Sequence, residues 1–354
     1  MPIVDHGQMI ARAPQPEVPY KARLFVRNIY TGQWEIVAVL GLEDSVFQDD
    51  EVNIAFDSGR ALLALSSDEN DNEGDVFAFE LAPTINAGHM GGWYNPHTPG
   101  QGVLADIDES NDFLFGAWFT YTLETSDHPY EQHWYTAQGT YAGNKAGLTL
   151  YESLGGRFDD PTLVSTDPVG TATLSFTDCA SGMMQYRIDT LGVSGDFPLV
   201  RLLTGSETTC ETRHEPQPQM AGINPGMNGG WYNDVTPGQG FLLDAFPDGE
   251  GGGFIFVAWF TYGDVAASGQ RWLTAQGNFT GLTAEIDVYE ATGGIFDAYL
   301  LPNNPRVGSM TVDFTDCDAA TLSYELDEGV MSSMSLIRLL PAANALCREF
   351  TGED

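Results

Sequence analysis

The stretch GGWYNPHTPGQG, Gly91 to Gly102, returns as GGWYNDVTPGQG, Gly229 to Gly240, and differs only at Pro96/Asp234 and His97/Val235. The match continues well past these twelve residues. Ala117-Trp118-Phe119-Thr120-Tyr121 returns as Ala258-Trp259-Phe260-Thr261-Tyr262, and Thr136-Ala137-Gln138-Gly139 as Thr274-Ala275-Gln276-Gly277. Phe176-Thr177-Asp178-Cys179 returns as Phe314-Thr315-Asp316-Cys317, and Arg201-Leu202-Leu203 as Arg338-Leu339-Leu340. The offset stays near 138 residues, with small insertions and deletions in turn-like segments. A repeat of this length is a duplicated domain.

Each copy reads as strands only. Aromatic and β-branched runs, alternating or wholly apolar, are separated by Gly, Asp, Asn or Pro. In copy one the strands fall near 92–95, 102–107, 113–122, 133–141, 148–153, 170–177, 183–189 and 195–203. The connections are mostly short, which implies antiparallel neighbours, because a parallel pair needs a crossover of a dozen or more residues. Eight strands in meander order close into a barrel and remove exposed edges, with a two-sheet sandwich as the alternative. The expected fold is therefore all-β: two tandem homologous antiparallel eight-stranded barrels or sandwiches, preceded by a small β region. The boundaries read as an extended arm over 1–20, a small β domain over 21–86, copy one over 87–210, a proline-containing linker over 211–228 and copy two over 229–354.

Fourteen basic residues face fifty acidic ones, a formal net charge of -36. Such a surface repels phosphate, which excludes nucleic acid as a partner, and it repels an anionic lipid face. No apolar run approaches the ~20 residues of a membrane helix. The acidity serves solubility in a salty medium, gathers divalent cations or steers a cationic partner.

Cys179 and Cys210 are separated by 31 positions, and Cys317 and Cys347 by 30. Four cysteines permit three pairings, and the matched layout favours one bridge per copy. In a meander, strands six and eight run the same way, so Cys179 and Cys210 lie at one end of the barrel. Two disulfides imply an oxidising compartment: extracellular, cell-surface or periplasmic. The N-terminus has no apolar signal core, so the expectation is the mature part of a secreted chain.

The repeated aromatics and amides are candidates for a ligand pocket. In copy one they are Trp93, Tyr94, Asn95, Gln101, Trp118, Tyr121, Trp134 and Gln138. In copy two they are Trp231, Tyr232, Asn233, Gln239, Trp259, Tyr262, Trp272 and Gln276. Aromatic walls with a few amides suit a sugar or another small polar molecule. The plain alternative is structural: aromatics of ~150–250 Å² dominate small β cores, and Asn95, Pro99-Gly100 and Gln101 build a turn. A second candidate is the run Asp68, Glu69, Asn70, Asp71, Asn72, Glu73, Gly74 and Asp75. Its oxygen donors, with Asp68, Asn70, Asp71, Asn72 and Asp75 as ligands, suit calcium, which takes 6–8 oxygens; the alternative is a polar hairpin loop. Glu73 stands where an EF-hand needs Gly, and no helix flanks the loop.

The histidines do not repeat: His97 is matched by Val235 and His133 by Arg271. The chain has no GxSxG, HExxH, P-loop or dinucleotide fingerprint, and Glu152 and Glu290 are lone carboxylates rather than a glycosidase pair.

The ordered string GGWYN…PGQG…AWFTY…AQG…FTDC…RL resembles a module of predicted secreted proteobacterial proteins, often near their C-termini. The resemblance covers roughly 88–210 and 226–347 and implies a secreted, accessory role. The first strand also resembles that of the avidin family, whose Gly-x-Trp-Tyr-Asn opens an eight-stranded barrel and whose Asn contacts biotin. Asn95 and Asn233 match that residue, while Pro-Gly-Gln-Gly replaces the polar loop that follows. The expected function is a non-catalytic binding module for a small polar molecule or glycan. The alternatives are a subunit of an extracellular filament or surface layer, self-assembling through its N-terminal arm, and a carbohydrate-active enzyme.

Overall fold

The structure is a computed structural model. It describes residues 83–264 and 269–352 and, before them, the backbone of seven strands. The chain divides into two compact units, Met1–Ala82 and Pro83–Asp354. In the first, β1 (Ile3–Asp5), β2 (Gln8–Ala11), β3 (Lys21–Arg27) and β4 (Trp34–Gly41) form a four-stranded antiparallel sheet in that order. A second sheet holds β5 (Glu51–Asp57), β6 (Arg60–Ser66) and β7 (Gly74–Glu80). Five of these strands, β3 to β7, fall in the stretch read as a small β domain, and β1 and β2 lie within the stretch read as an arm, the rest of which lies outside the described residues. So do Asp68, Asn70, Asp71 and Asn72 of the calcium candidate, while Asp75 is a backbone position of β7.

The second unit holds two closed barrels. The first comprises β8 (Gly91–Tyr94), β9 (Gly102–Asp108), β10 (Phe113–Tyr121), β11 (Gln132–Ala142), β12 (Lys145–Leu154), β13 (Ser165–Phe176), β14 (Ser181–Ile188) and β15 (Val193–Arg201). The second comprises β16 (Gly229–Tyr232), β17 (Gly240–Pro247), β18 (Gly252–Tyr262), β19 (Gln270–Thr280), β20 (Thr283–Tyr289), β21 (Arg306–Phe314), β22 (Ala319–Leu326) and β23 (Met331–Arg338). Neighbouring strands are antiparallel throughout. Each barrel closes through its four-residue first strand, with Trp93 opposite Arg201 and Trp231 opposite Arg338. Closure decides for barrels over sandwiches.

Side-chain alternation fills each interior. Along β14, Met184, Tyr186 and Ile188 point inward, while Gln185 and Arg187 are exposed. The first core gathers Trp93, Trp118, Tyr135, Leu150, Phe176 and Phe197. The second gathers Trp231, Phe241, Trp259, Val288, Phe314 and Leu336. Strand β9 breaks the alternation: all seven residues are buried. Val103, Ala105 and Ile107 join the first core, and Leu104 joins a third cluster with Phe119, Tyr121, Trp134, Phe260, Tyr262 and Trp272. A strand buried on both faces is covered on both faces. Here the outer cover is the other barrel.

Both expected disulfides form. Cys179 follows β13 and bonds Cys210 in a one-turn helix, α1 (Thr208–Glu211); Cys317 follows β21 and bonds Cys347 in α2 (Ala345–Thr351). Both pairs have Cα atoms 5.7 Å apart. A closed loop of about 30 residues stabilises by roughly 3–4 kcal/mol in the chain-entropy model.

The expected linker is partly folded into the repeat. Asn224 accepts the Gly226 N–H at 3.0 Å and caps the 3-10 turn Pro225–Met227, as Asn86 caps Ala87–His89 through Gly88 at 2.9 Å. Copy two therefore starts before the shared GGWYN. The match is in the sequence too: Ile85-Asn86 and Gly88 return as Ile223-Asn224 and Gly226.

Candidate functional site

The two barrels meet through reciprocal contacts, the pattern of an isologous dimer written into one chain. Gln132 Nε2 donates to Trp272 O at 2.6 Å and to Ala291 O at 2.9 Å, and its Oε1 accepts from Trp272 N at 3.2 Å. Gln270 does the same in return, donating to Trp134 O at 2.9 Å and Ser153 O at 3.1 Å and accepting from Trp134 N at 2.9 Å. The indole of Trp134 donates to Thr261 O and that of Trp272 to Thr120 O, both at 3.2 Å. These glutamines pair with strand backbone on the opposite barrel.

The glycine pair of the repeated motif receives the other copy's carboxylate. Gly92 N donates to Asp244 Oδ2 at 2.9 Å, and Gly230 N to Asp106 Oδ2 at 3.0 Å. Gly91 and Gly229 hold φ of 105° and 102°, and a Cβ on either would lie 2.4 or 2.3 Å from the facing carboxylate. Both the conformation and the close approach exclude other residues.

Asp106 and Asp244 are fully buried. Burial pushes both carboxyls up from the ordinary 3.8 to about 6, against the downward pull of Arg338 on Asp106 and of Arg201 on Asp244. The folded chain thus holds these protons more tightly than the unfolded one. Their stabilisation is fully present below about pH 4 and is lost as pH rises through about 6. We expect Asp106→Asn/Asp244→Asn to flatten that part of the stability profile, removing a slope on the order of 1 kcal/mol per pH unit per carboxylate. Urea unfolding at several pH values between 4 and 7 measures it; an unchanged slope refutes the assignment.

The amide at the end of the motif holds a loop of the other copy. Gln101 Nε2 donates to Ile295 O at 2.9 Å, and its Oε1 accepts from Asp297 N at 3.0 Å and from the Thr120 hydroxyl at 2.6 Å. Gln239 binds Asp159 N at 3.1 Å and Asp160 O at 3.3 Å. The loops so held, between the fifth and sixth strands, plug the opposite barrels. Phe296 packs against Trp118 and Tyr186, with ring centroids 5.4 and 5.7 Å away. Phe158 packs against Trp259 and Tyr324 at 5.0 and 5.9 Å. Asp297 and Asp159 take left-handed φ of 43° and 44° and accept the hydroxyls of Tyr186 and Tyr324 at 2.6 and 2.7 Å. Asp tolerates that backbone better than most residues.

The sixteen pocket candidates therefore divide. Trp93, Trp118, Trp231 and Trp259 fill the barrels, and Tyr121, Trp134, Tyr262 and Trp272 fill the seam. Asn95 Oδ1 accepts His97 N at 2.9 Å, and Asn233 Oδ1 accepts Val235 N at 2.8 Å, so both build their turns. Gln101 and Gln239 are bound as above. Gln138 and Gln276 are exposed on the outer faces of β11 and β19, Tyr94 is exposed and Tyr232 is half-buried. Sequence reasoning missed Asp106, Asp244, Gln132, Gln270, Phe158 and Phe296. The matched position of Asp106 and Asp244 inside apolar strands was the available signal.

Two places in this unit bear on a ligand reading. One is the His133–Glu152 pair of the first barrel, Nε2 to Oε1 3.0 Å, which stands where the second barrel has Arg271–Glu290 at 2.8 Å. Burial, and then Glu152, push the Tyr135 hydroxyl above its ordinary range, so it stays protonated. The other is a cleft of about 180 Å³ at the seam, lined by Trp93, Tyr94, Gln101, Phe119, Trp272 and Asn304, with Thr274 beside them. The Tyr94 and Thr274 hydroxyls and the Asn304 amide carry no hydrogen bond among the described residues.

Fold and seam together define an all-β protein built as an internal pseudo-dimer of eight-stranded barrels. No protein-family model matches the chain, and no curated protein matches it.

Proposed function

We propose that this chain is a secreted or cell-surface, non-catalytic binding protein for a small polar molecule such as a neutral sugar, held in the seam cleft. The observation that carries the reading is the pairing of an aromatic wall, Trp93, Phe119 and Trp272, with polar atoms of Tyr94, Thr274 and Asn304 that the fold leaves unspent. Apolar walls supply affinity and a few polar groups fix orientation. The volume suits a single ring. A hexose has about 12 non-hydrogen atoms; at roughly 0.3 kcal/mol per atom it gains about 4 kcal/mol, a Kd of about 1 mM. The net charge of -36 disfavours anionic sugars.

Tryptophan fluorescence titrated with neutral monosaccharides and with uronates tests this. A saturable change with a neutral sugar is expected, weakened at least about tenfold, or about 1.4 kcal/mol, by Tyr94→Ala and by Asn304→Ala. Tyr232→Ala, the counterpart of Tyr94 outside the cleft, leaves it unchanged. No saturable response across the panel, or an equal loss with Tyr232→Ala, overturns the reading.

A further inference from the structure

The two disulfides are matched in place but differ in one neighbour. Beside Cys179–Cys210 stands His89, with Nε2 3.4 Å and Nδ1 3.6 Å from Cys210 Sγ. His89 is fully buried. One nitrogen of it and the two sulfurs lie within 4.8 Å of one another, among buried residues. In copy two the equivalent position is Met227, which offers no imidazole. The surroundings otherwise correspond: Asn86 Nδ2 lies 4.0 Å from Cys210 Sγ, and Asn224 Nδ2 3.8 Å from Cys347 Sγ.

We propose that reduction of Cys179–Cys210 opens a metal site in copy one, with Cys179 Sγ, Cys210 Sγ and His89 Nε2 as ligands for a thiophilic d10 cation such as Zn2+. The geometry is close to what such an ion needs. Tetrahedral zinc with Zn–S of about 2.3 Å and Zn–N of about 2.0–2.1 Å holds sulfur and nitrogen about 3.5 Å apart. The 3.4 Å between His89 Nε2 and Cys210 Sγ is already that separation. Two thiolates neutralise the dication, which a buried site requires.

The backbone beside His89 supports both states. Nδ1 stands 3.2 Å from Asn86 N and 3.3 Å from Asn86 O. With the disulfide intact, Nδ1 accepts from Asn86 N–H, and Nε2, beside the sulfur, carries the proton. With the metal bound, Nδ1–H donates to Asn86 O and Nε2 turns its lone pair to the ion. A backbone carbonyl on the second nitrogen is the usual support of a ligating histidine. Three protein ligands leave a fourth position open, the donor set of an exchangeable site.

A dithiol reductant supplies the electrons. Its thiolate attacks Cys179 Sγ, in the more exposed of the two residues, 7% against 3% for Cys210. The S–S bond breaks, Cys210 leaves with the electron pair beside His89 Nε2–H, and the second reductant thiol releases Cys179 as the reductant closes to its own disulfide. Two protein thiols result, and binding of the cation expels their two protons.

The test uses the full chain, oxidised and reduced, titrated with Co2+ as a spectroscopic probe and then with Zn2+. One equivalent of Co2+ is expected to give a thiolate charge-transfer band in the reduced protein only, and Zn2+ to displace it. Since the loss of a supporting partner already weakens a metal by 10–100-fold, His89→Met, which installs the copy-two residue, is expected to weaken binding at least about 100-fold. Its thiol count and near-ultraviolet circular dichroism stay those of the parent. Met227→His is expected to raise the stoichiometry to two. Binding indifferent to His89, two equivalents in the parent, no binding at all, or a circular dichroism signal lost on reduction and not restored by Zn2+ overturns the proposal.

Discussion

Phe296→Ala is expected to destabilise the first barrel, although Phe296 belongs to the second copy. The ring is 6% exposed and sits in the first barrel's core between Trp118 and Tyr186. Truncating a core phenylalanine costs about 3–5 kcal/mol, because lost transfer energy and the remaining cavity add. The loop cannot follow the missing ring inward, since Gln101 and the Tyr186 hydroxyl hold Ile295 and Asp297 in place. Native-state hydrogen exchange locates the damage. Amides of β10 and β14 are expected to lose protection before those of β18 and β22. Phe158→Ala gives the mirror result, against Trp259 and Tyr324. Damage confined to the copy that carries the mutation would falsify the cross-plugged arrangement.

Arg338→Met is expected to cost about 3–5 kcal/mol, the loss that follows from breaking one side of a buried charged arrangement. The guanidinium is 3% exposed. It donates through Nη1 to Asn228 O at 2.6 Å, through Nε to Cys317 O at 3.2 Å, and through Nη2 to Gly226 O. Its Cζ lies 4.7 Å over the Trp231 ring. Methionine fills much of the volume but leaves three buried carbonyls without donors, at about 1–3 kcal/mol each if nothing relaxes. It also removes the positive charge that draws the Asp106 carboxyl down from the other copy. Arg338→Lys is not expected to rescue, because a point charge does not replace a planar fork with three separate acceptors. Guanidinium denaturation monitored by tryptophan emission reads the change, and a loss under about 1 kcal/mol for Arg338→Met would show that the fork is dispensable. Arg201 repeats the arrangement under Trp93, with Gly88, Met90 and Cys179 carbonyls, and gives the same expectation.

The polar partners of the seam largely correspond between the copies, and one difference lies at the buried carboxylates. Asn228 donates to Asp244 Oδ1 at 3.1 Å, whereas the side chain of its counterpart Met90 offers no donor and Asp106 Oδ1 has no hydrogen-bond partner among the described residues. Two copies of one sequence have thus diverged where each needs only to fit its neighbour. His89 against Met227 is a second divergence of this kind.

Much of the fold was legible because it is written locally and twice. The period of two in segments such as Gly182–Ile188, the Gly, Asp and Pro breaks, and the short connections specify eight antiparallel strands per copy. The matched cysteines favour one bridge per copy, which the structure shows. What local pattern cannot say is what covers an apolar face. Leu104, Phe119 and Trp134 point out of their barrel, yet a run such as AWFTY reads the same whether its outer face meets a ligand, a second chain or the other copy. Gln101 and Gln132 have the same ambiguity, since an amide that orients a ligand and one that pairs with distant backbone are one residue type. The seam joins positions such as Asp106 and Gly230 that lie more than a hundred residues apart, and only three-dimensional packing brings them into register.

Sequence by itself determined two all-β repeats of eight antiparallel strands and a matched cysteine pair in each, because periodicity and duplication are properties of the chain. The tertiary structure alone decided that GGWYN…PGQG serves mainly as a joint: its glycines admit the other copy's carboxylate, its tryptophan seals its own barrel and its glutamine holds the other copy's plug. The physical reason is that burial depends on what a face meets, and here each copy meets the other.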